Sequence, residues 1–114
     1  KKNHSDNIIS YKKFTNIELK IAQIKQVVKI DNSDKLYKII ADIGKSKIQI
    51  VSGISKHYNL EELIGKSIIV VTNLKDSKIF GTQSEGMLLA AKKGKKLSLI
   101  TSNSDNLVLG EKIY

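Results

Sequence analysis

A chain of 114 residues with 40% hydrophobic residues suits one domain with one core, and it is too apolar for a disordered protein. The absence of cysteine excludes disulfides and thiolate metal sites, and the apolar runs are too short to span a bilayer, so we expect a soluble, cytoplasmic protein without a membrane partner. The formal net charge of +9 favours a polyanionic partner.

Residues 1–13 show mixed charge and no apolar periodicity, which predicts a flexible tail or linker ahead of one domain over residues 14–114. The first strand begins with apolar residues in alternation at Ile17, Leu19 and Ile21, and the apolar positions then switch parity. A parity switch within one strand predicts a bulge or a sharp bend, which the coiled strands of small barrels require.

Two further strands follow the turn cluster DNSD at residues 31–34. The second strand should place Tyr37 and Ile39 on its inner face and end at Gly44, and the third should contain Ile50.

A short helix and the remaining strands complete the chain. Asn59 and Glu62 have capping-box spacing, and Gly65 is placed to end the helix. The run SIIVV predicts a buried fourth strand, and GMLLAA predicts a fifth after a long junction. After the basic turn KKGKK, the segments LSLIT and NLVLGEKIY predict extra C-terminal strands.

Three strands, a short helix and two or more further strands follow the order of an OB-fold. We therefore predict an all-β protein, a five-stranded Greek-key barrel whose short helix lies between the third and fourth strands, with extra C-terminal strands. An SH3-like barrel or an open meander is the structural alternative.

Catalytic chemistry is not indicated. His4 and His57 are isolated, and Glu61 and Glu62 are helix neighbours that do not face one another. There is no glycine-rich phosphate loop and no serine nucleophile elbow. We expect a non-catalytic domain with no metal and no other cofactor.

Lysines are concentrated in the loops that would frame the nucleic-acid face of an OB barrel. Lys29 and Lys35 flank the first turn, and Lys75 and Lys78 follow the fourth strand. All 20 basic residues are lysine, which suits phosphate oxygens better than bidentate reading of guanine. The alternatives are a solvated charged surface and a compositional bias toward lysine, and for the KKGKK turn the functional and solvated interpretations are equally open.

The junction between Asn73 and Ala91 combines features of a binding rim. Its glycines permit close backbone approach, Ser84 offers a hydroxyl, and Met87 can adapt to a base or a sugar; alternatively, Gly86 and Met87 only start a buried strand. Phe80 could stack on a base or pack internally. Aromatics make up only 5%, which favours a folded RNA over a stacking-driven single-strand binder. We expect Phe14 to plug the barrel.

Read in order, the segments FTNIELKIAQI, DKLYKIIADIG, QIVSGI, LIGKSIIVVTNLK and GTQSEGMLLAA resemble the tRNA-binding domain at the C-terminus of many bacterial methionyl-tRNA synthetases. Similar domains occur as free-standing tRNA-binding proteins. The resemblance runs from about Phe14 to Ile113. It implies an OB barrel that binds tRNA with little sequence specificity and delivers it to the methionyl-tRNA synthetase catalytic domain, in cis or in trans. It also implies a homodimer.

The motifs of that family assign residues one by one. The resemblance implies tRNA contacts by Lys35, Asn73, Lys75, Ser84 and Met87, and the lysine cluster after the fourth strand adds Lys78 as a further candidate contact. Asp76 departs from the family pattern, which often has proline there, and adds a negative charge to the rim. The alternative functions are a protein-interaction module of a synthetase complex and a general single-stranded nucleic-acid binder.

Overall fold

The computed structural model describes residues 7–104 and 108–114. Residues 1–6 of the predicted tail and 106–107 of the predicted last strand therefore lie outside the described residues. The elements are α1 Tyr11–Phe14, β1 Leu19–Lys29, β2 Tyr37–Asp42, β3 Lys47–Ser52, α2 Leu60–Leu63, β4 Ser67–Val71, β5 Ser77–Ile79, β6 Thr82–Ser84, β7 Met87–Leu88, β8 Ala90–Lys93 and β9 Lys96–Leu99. The helices of the described residues, α1 and α2, have four residues each, far fewer than a helix needs to span a bilayer.

Five strands form one antiparallel sheet in the order β3-β2-β1-β4-β7. The long strand β1 pairs with two neighbouring strands. Its residues Leu19 to Gln23 pair with β4, and Gln23 to Lys29 pair with β2. The β1–β2 register shifts between Ile24 and Gln26, which confirms the bulge predicted from the parity switch. The strand order and the bend give the nearly closed, OB-like barrel that was predicted.

The barrel interior is filled by branched apolar side chains. The largest fully buried ones are Ile24, Ile39, Ile50, Leu63, Ile68 and Val70. Leu63 comes from α2, so the short helix closes the barrel between the third and fourth strands. The Asn59 amide donates to the Glu62 carboxylate at 3.2 Å, and Gly65 follows the helix at a φ of +91°, as the capping signals predicted.

The two aromatic residues expected inside differ in their positions. Tyr37 is buried, and its hydroxyl donates to the Tyr58 carbonyl at 2.8 Å. Phe14 is only half-buried, and its ring lies 6.5 Å from that of Tyr11 on α1. The prediction that Phe14 plugs the barrel is therefore wrong, because branched aliphatic residues already fill the interior.

The barrel closes at a seam between β3 and residues 84–86. The Val51 amide donates to the Ser84 hydroxyl at 3.0 Å, and that hydroxyl donates to the Gly86 carbonyl at 3.1 Å. Gln49 exchanges two 2.7 Å bonds with Glu85, one to its carboxylate and one from its amide. A Cβ at Gly86 would lie 3.0 Å from the Val71 carbonyl oxygen, so the seam needs glycine for close approach.

The C-terminal segment is fastened across the start of β1. The Gly110 amide donates to the Ile21 carbonyl at 2.8 Å, and the Ile21 amide donates to the Glu111 carbonyl at 3.1 Å. At Gly110, where φ is +86°, a Cβ would lie 2.2 Å from the Ile43 carbonyl oxygen. The predicted last strand is thus reduced, in its described part, to an isolated bridge between Lys20 and Lys112.

Candidate nucleic-acid interface

The junction after the fourth strand folds into a hairpin, although the sequence indicated only a loop. Strands β5 and β6 pair antiparallel, with Ile79 opposite Thr82 and a two-residue turn between them. The turn residues Phe80 and Gly81 have φ angles of +53° and +75°. Positive φ at both central positions is the requirement of a type I′ hairpin turn, which usually selects Asn-Gly.

A groove of about 660 Å³ lies between this hairpin and the first turn of the barrel; we call it the loop groove. Both the hairpin tip and the β1–β2 turn contribute to its walls. The lining residues used below are Lys29, Asp31, Asn32, Lys38, Gln49, Phe80, Gly81 and Gln83. Two lysines against one aspartate leave the groove with net positive charge, as a polyanion site requires.

Phe80 is the unusual residue of the groove. Its side chain is 62% exposed although it is large and apolar, so packing does not explain its position. A non-glycine residue in the left-handed region costs about 1–2 kcal/mol, and asparagine tolerates that region better than phenylalanine. An exposed aromatic ring held at a strained turn and facing a positive groove is a base-stacking candidate.

The hairpin is held against the barrel through its base. The Gln49 side-chain amide donates to the Gln83 carbonyl at 2.8 Å, in addition to the two bonds that Gln49 shares with Glu85. The Gln83 side chain donates to the Asp76 carboxylate at 2.8 Å. Asp76, which departs from the family pattern, therefore ties the start of the hairpin to its returning strand.

The three predicted lysines do not line the loop groove itself, but they lie on or next to the two elements that line it, and all are exposed. Lys78 is directly opposite Gln83, which lines both the loop groove and a smaller pocket beside Lys78. Lys75 precedes the hairpin. Lys35 is the last residue of the first turn. Its carbonyl accepts a hydrogen bond from the Ser55 amide at 3.1 Å, so Lys35 lies on the side of the turn that faces Ser55.

Three other predicted contacts have internal roles or lie on the barrel itself. Ser84 is only 5% exposed because its hydroxyl closes the seam. Asn73 is exposed, but its side chain accepts from the Glu18 amide at 2.9 Å and donates to the Asn16 carbonyl at 2.7 Å. Met87 is 47% exposed on β7 opposite Val71. Ser84 and Asn73 thus shape the surface, while Met87 remains accessible.

Near the Asn73 bonds, Glu18 is the one titratable group of the described residues with a resolved shift. The hydroxyl of Thr72 donates to its carboxylate and lowers its pKa, and the charges of Lys20, Lys45 and Lys112 act in the same direction. Desolvation opposes them. The start of β1 therefore holds an ionised carboxylate among lysines.

Sequence reasoning missed Lys38 and Asn32 as residues of the groove. Lys38 alternates with the buried Tyr37 and Ile39 on β2, and that outward position next to the first turn was a usable signal. Asn32 has a φ of +67° within the DNSD turn, where asparagine tolerates the left-handed region. Their shared groove with Phe80 depends on long-range pairing, which no local pattern displays.

An OB-like barrel with a groove between its loops that is lined by lysines is typical of the barrels that bind nucleic acid. The family described as "Putative tRNA binding domain" matches residues 19–112, and the chain belongs to that family. The resemblance drawn from the sequence is therefore confirmed, and tRNA binding is confirmed at the level of the family.

Individual relatives agree with this assignment. The chain is 48% identical over 99 residues to the methionine–tRNA ligase of Thermotoga maritima, covering 87% of this chain and 16% of that protein. It is similar to the crystal structure of a MetRS related protein from Pyrococcus horikoshii, with a TM-score of 0.89, 33% identity and coverage of 95% and 99% of the two chains. The CsaA chaperone protein from Picrophilus torridus gives a TM-score of 0.85 at 29% identity, with coverage of 94% and 100%.

The chain spans about one sixth of the ligase that it matches, 16% of its length, and the matched part is the C-terminal region. It corresponds to the binding domain of such a ligase, not to its catalytic body. Within the described residues, no group of three or more His, Cys, Asp or Glu side chains is arranged to hold a metal ion.

Proposed function

We propose that the loop groove and the lysines beside it bind tRNA, largely without sequence specificity, and that the chain is a tRNA-delivery module for methionyl-tRNA synthetase. The observation that carries the proposal is an exposed aromatic ring, Phe80, held at a strained turn above a groove lined by Lys29 and Lys38. Family membership supports tRNA as the polyanion.

Binding combines charge and stacking. Lys35, Lys75 and Lys78 are exposed on or next to the two elements that line the groove, and they would neutralise phosphates, releasing condensed counterions. Phe80 offers a flat face to one unpaired base, while Met87 offers an adaptable apolar contact. Ser84 and Asn73 act indirectly, because their polar atoms fix the seam and the start of β1.

Delivery of tRNA depends on the attachment of this domain to the catalytic domain. A domain that holds tRNA weakly raises the effective tRNA concentration for a catalytic domain on the same chain or in the same complex. The similarity to the C-terminal region of methionine–tRNA ligases supports that partner, and the cytoplasm is the expected place of action.

We also propose a homodimer formed around the start of β1. Ile17 and Leu74 are large apolar residues with 44% and 47% of their surface exposed, and Asn73 ties their segments together. Tyr114, which is 85% exposed, follows Ile113, whose amide donates to the Leu19 carbonyl at 3.0 Å. Light scattering should give twice the chain mass, and Ile17→Lys should shift it toward the monomer; a monomeric parent protein would refute this part.

The main test is tRNA binding as a function of salt. Lys75→Ala/Lys78→Ala should reduce the slope of log affinity against log salt by about 1.4–1.8 and weaken binding by about 25- to 60-fold at 0.1 M salt, if both lysines neutralise phosphates. Lys45→Ala/Lys47→Ala removes the same charge at the β2–β3 turn, at the opposite end of β2 from the first turn, and should change binding much less. A salt-independent affinity, or an unchanged Lys75/Lys78 variant, would contradict the proposed site.

A further inference from the structure

A second basic surface lies outside the loop groove, on the hairpin formed by β8 and β9. This lysine hairpin carries Lys92, Lys93, Lys95 and Lys96, and residues 86–104 contain no aspartate or glutamate. The ion pairs within the described residues join Lys20 to Glu18 and Lys56 to Asp34, so the hairpin lysines have no acidic partner within 4 Å there. Their charge is therefore available to an external anion.

The lysine hairpin is fixed to the segment that leads into α2. The Leu99 amide donates to the Tyr58 hydroxyl at 3.0 Å, and the Lys66 ammonium lies 5.9 Å from the centre of the Tyr58 ring. This arrangement sets the hairpin beside Lys56 and His57. The two elements enclose a shallow groove of about 660 Å³, lined by Lys56, His57, Lys92, Lys93, Lys96 and Leu97, with Ala91 and Ser98.

The chemistry of this groove differs from that of a plain charged surface. Lys93 and Lys96 are paired on one face of the hairpin, and Lys92 is paired with Leu97 on the other, so an ammonium group lies beside an apolar side chain. Ala91 and the His57 ring add further flat or apolar surface. Positive charge around stacking surface is the combination that single-stranded nucleic acid requires.

The groove is also close to the first turn. The Ser55 amide donates to the Lys35 carbonyl at 3.1 Å, and the Ser55 hydroxyl donates to the Asp34 carbonyl at 2.8 Å. Lys56 lies 3.6 Å from the Asp34 carboxylate, which marks the border between the two basic surfaces. An RNA held in the loop groove can therefore reach the lysine hairpin across one exposed ion pair.

We propose that the lysine hairpin, with Lys56 and His57, binds a single-stranded ribose–phosphate segment of the same RNA that occupies the loop groove. The inference rests on the proposed function in taking RNA as the ligand. It adds a second contact surface, at the end of the barrel that is closed by α2.

The test compares three double variants in tRNA binding across a salt series. Lys92→Ala/Lys96→Ala should lower the salt slope by about 1.4, the value for two contacts to a single strand, and weaken binding on the order of 25-fold at 0.1 M salt. Lys92→Arg/Lys96→Arg keeps both charges and should bind like the parent. Lys45→Ala/Lys47→Ala is the charge-matched control and should lose much less affinity. Equal melting temperatures establish that the variants are folded.

If the parent protein binds tRNA, three outcomes overturn the inference. The first is an unchanged slope and affinity in Lys92→Ala/Lys96→Ala, with Lys92-dependent binding to anionic phospholipid vesicles then showing a lipid ligand instead. The others are an equal loss of affinity in Lys45→Ala/Lys47→Ala and weaker binding by the arginine variant than by the parent protein. If the parent protein does not bind tRNA, the proposed function fails, and a short oligouridylate becomes the probe. Oligouridylate binding that is lost in Lys92→Ala/Lys96→Ala then supports the lysine hairpin, and no binding refutes it.

Discussion

Replacement of Phe80 by asparagine should change stability and RNA binding in opposite directions. Phe80 has a φ of +53°, a conformation in which most side chains are strained by about 1–2 kcal/mol and asparagine is strained less. The ring is 62% exposed, so its removal forfeits little packing. We expect Phe80→Asn to raise the free energy of unfolding by about 1 kcal/mol, which for a domain of this size is roughly 4 °C in melting temperature.

The same substitution removes the stacking surface from the loop groove. Loss of one base–aromatic contact costs about 1–3 kcal/mol, so tRNA affinity should fall by roughly 5- to 150-fold. Phe80→Leu separates the two effects, because leucine keeps the strain and the apolar volume but lacks the ring. It should weaken binding without raising the melting temperature, whereas Phe80→Tyr should retain binding.

Calorimetry and fluorescence anisotropy with labelled tRNA provide both measurements on the same samples. A Phe80→Asn protein that binds as tightly as the parent would refute the stacking role. A Phe80→Asn protein that is no more stable than the parent would refute the assignment of backbone strain.

The remaining predictions concern the seam, the C-terminal segment and the start of β1. Ser84→Ala should lower the free energy of unfolding by about 1–3 kcal/mol because the buried Val51 amide loses its acceptor. Ser77 is paired with Ser84 but is exposed, so Ser77→Ala should change the free energy of unfolding by less than about 0.5 kcal/mol, and equal denaturant midpoints of the two variants would contradict this. Gly110→Ala should detach residues 108–113, because the added Cβ would collide with the Ile43 carbonyl. Amide hydrogen exchange at Ile21 and Ile113 should then become faster, whereas unchanged protection would show that the backbone adapts. Because the pKa of Glu18 is lowered, its carboxylate stabilises the folded protein above its unfolded pKa, and this stabilisation is lost as pH falls through its folded pKa. The difference in free energy of unfolding between the parent and Glu18→Gln should therefore shrink on acidification. A difference that does not depend on pH would refute this prediction.

Local patterns were sufficient to predict the barrel. The parity switch after Ile21 predicted the bulge, and Asn59 with Glu62 predicted the start of the helix that closes the interior. These signals work because strand alternation and helix capping depend on residues within a few positions of one another. Phe14 was misplaced because an apolar residue before a strand carries no information about which cavity it can reach.

The candidate site was less predictable, because its roles depend on distant partners. The Ser84 hydroxyl accepts from an amide 33 residues away, and no local pattern distinguishes that use from a contact with RNA. The β5–β6 hairpin escaped prediction because strands of three residues are too short to display periodicity. The contacts assigned to Lys35, Lys75, Lys78 and Met87 stay predictions until binding is measured.

The side-chain seam at Ser84 and Glu85 has a consequence for self-association. Without it, β3 would present the free amides of Gln49 and Val51 along an unpaired border, and such a border recruits strands from other molecules. Because a hydroxyl and a carboxylate accept from those amides, the Ser84–Glu85 motif shields this edge of the barrel from pairing with strands of other molecules. Substitutions in that motif should therefore first cause the purified protein to aggregate and precipitate on storage, before any loss of strand content.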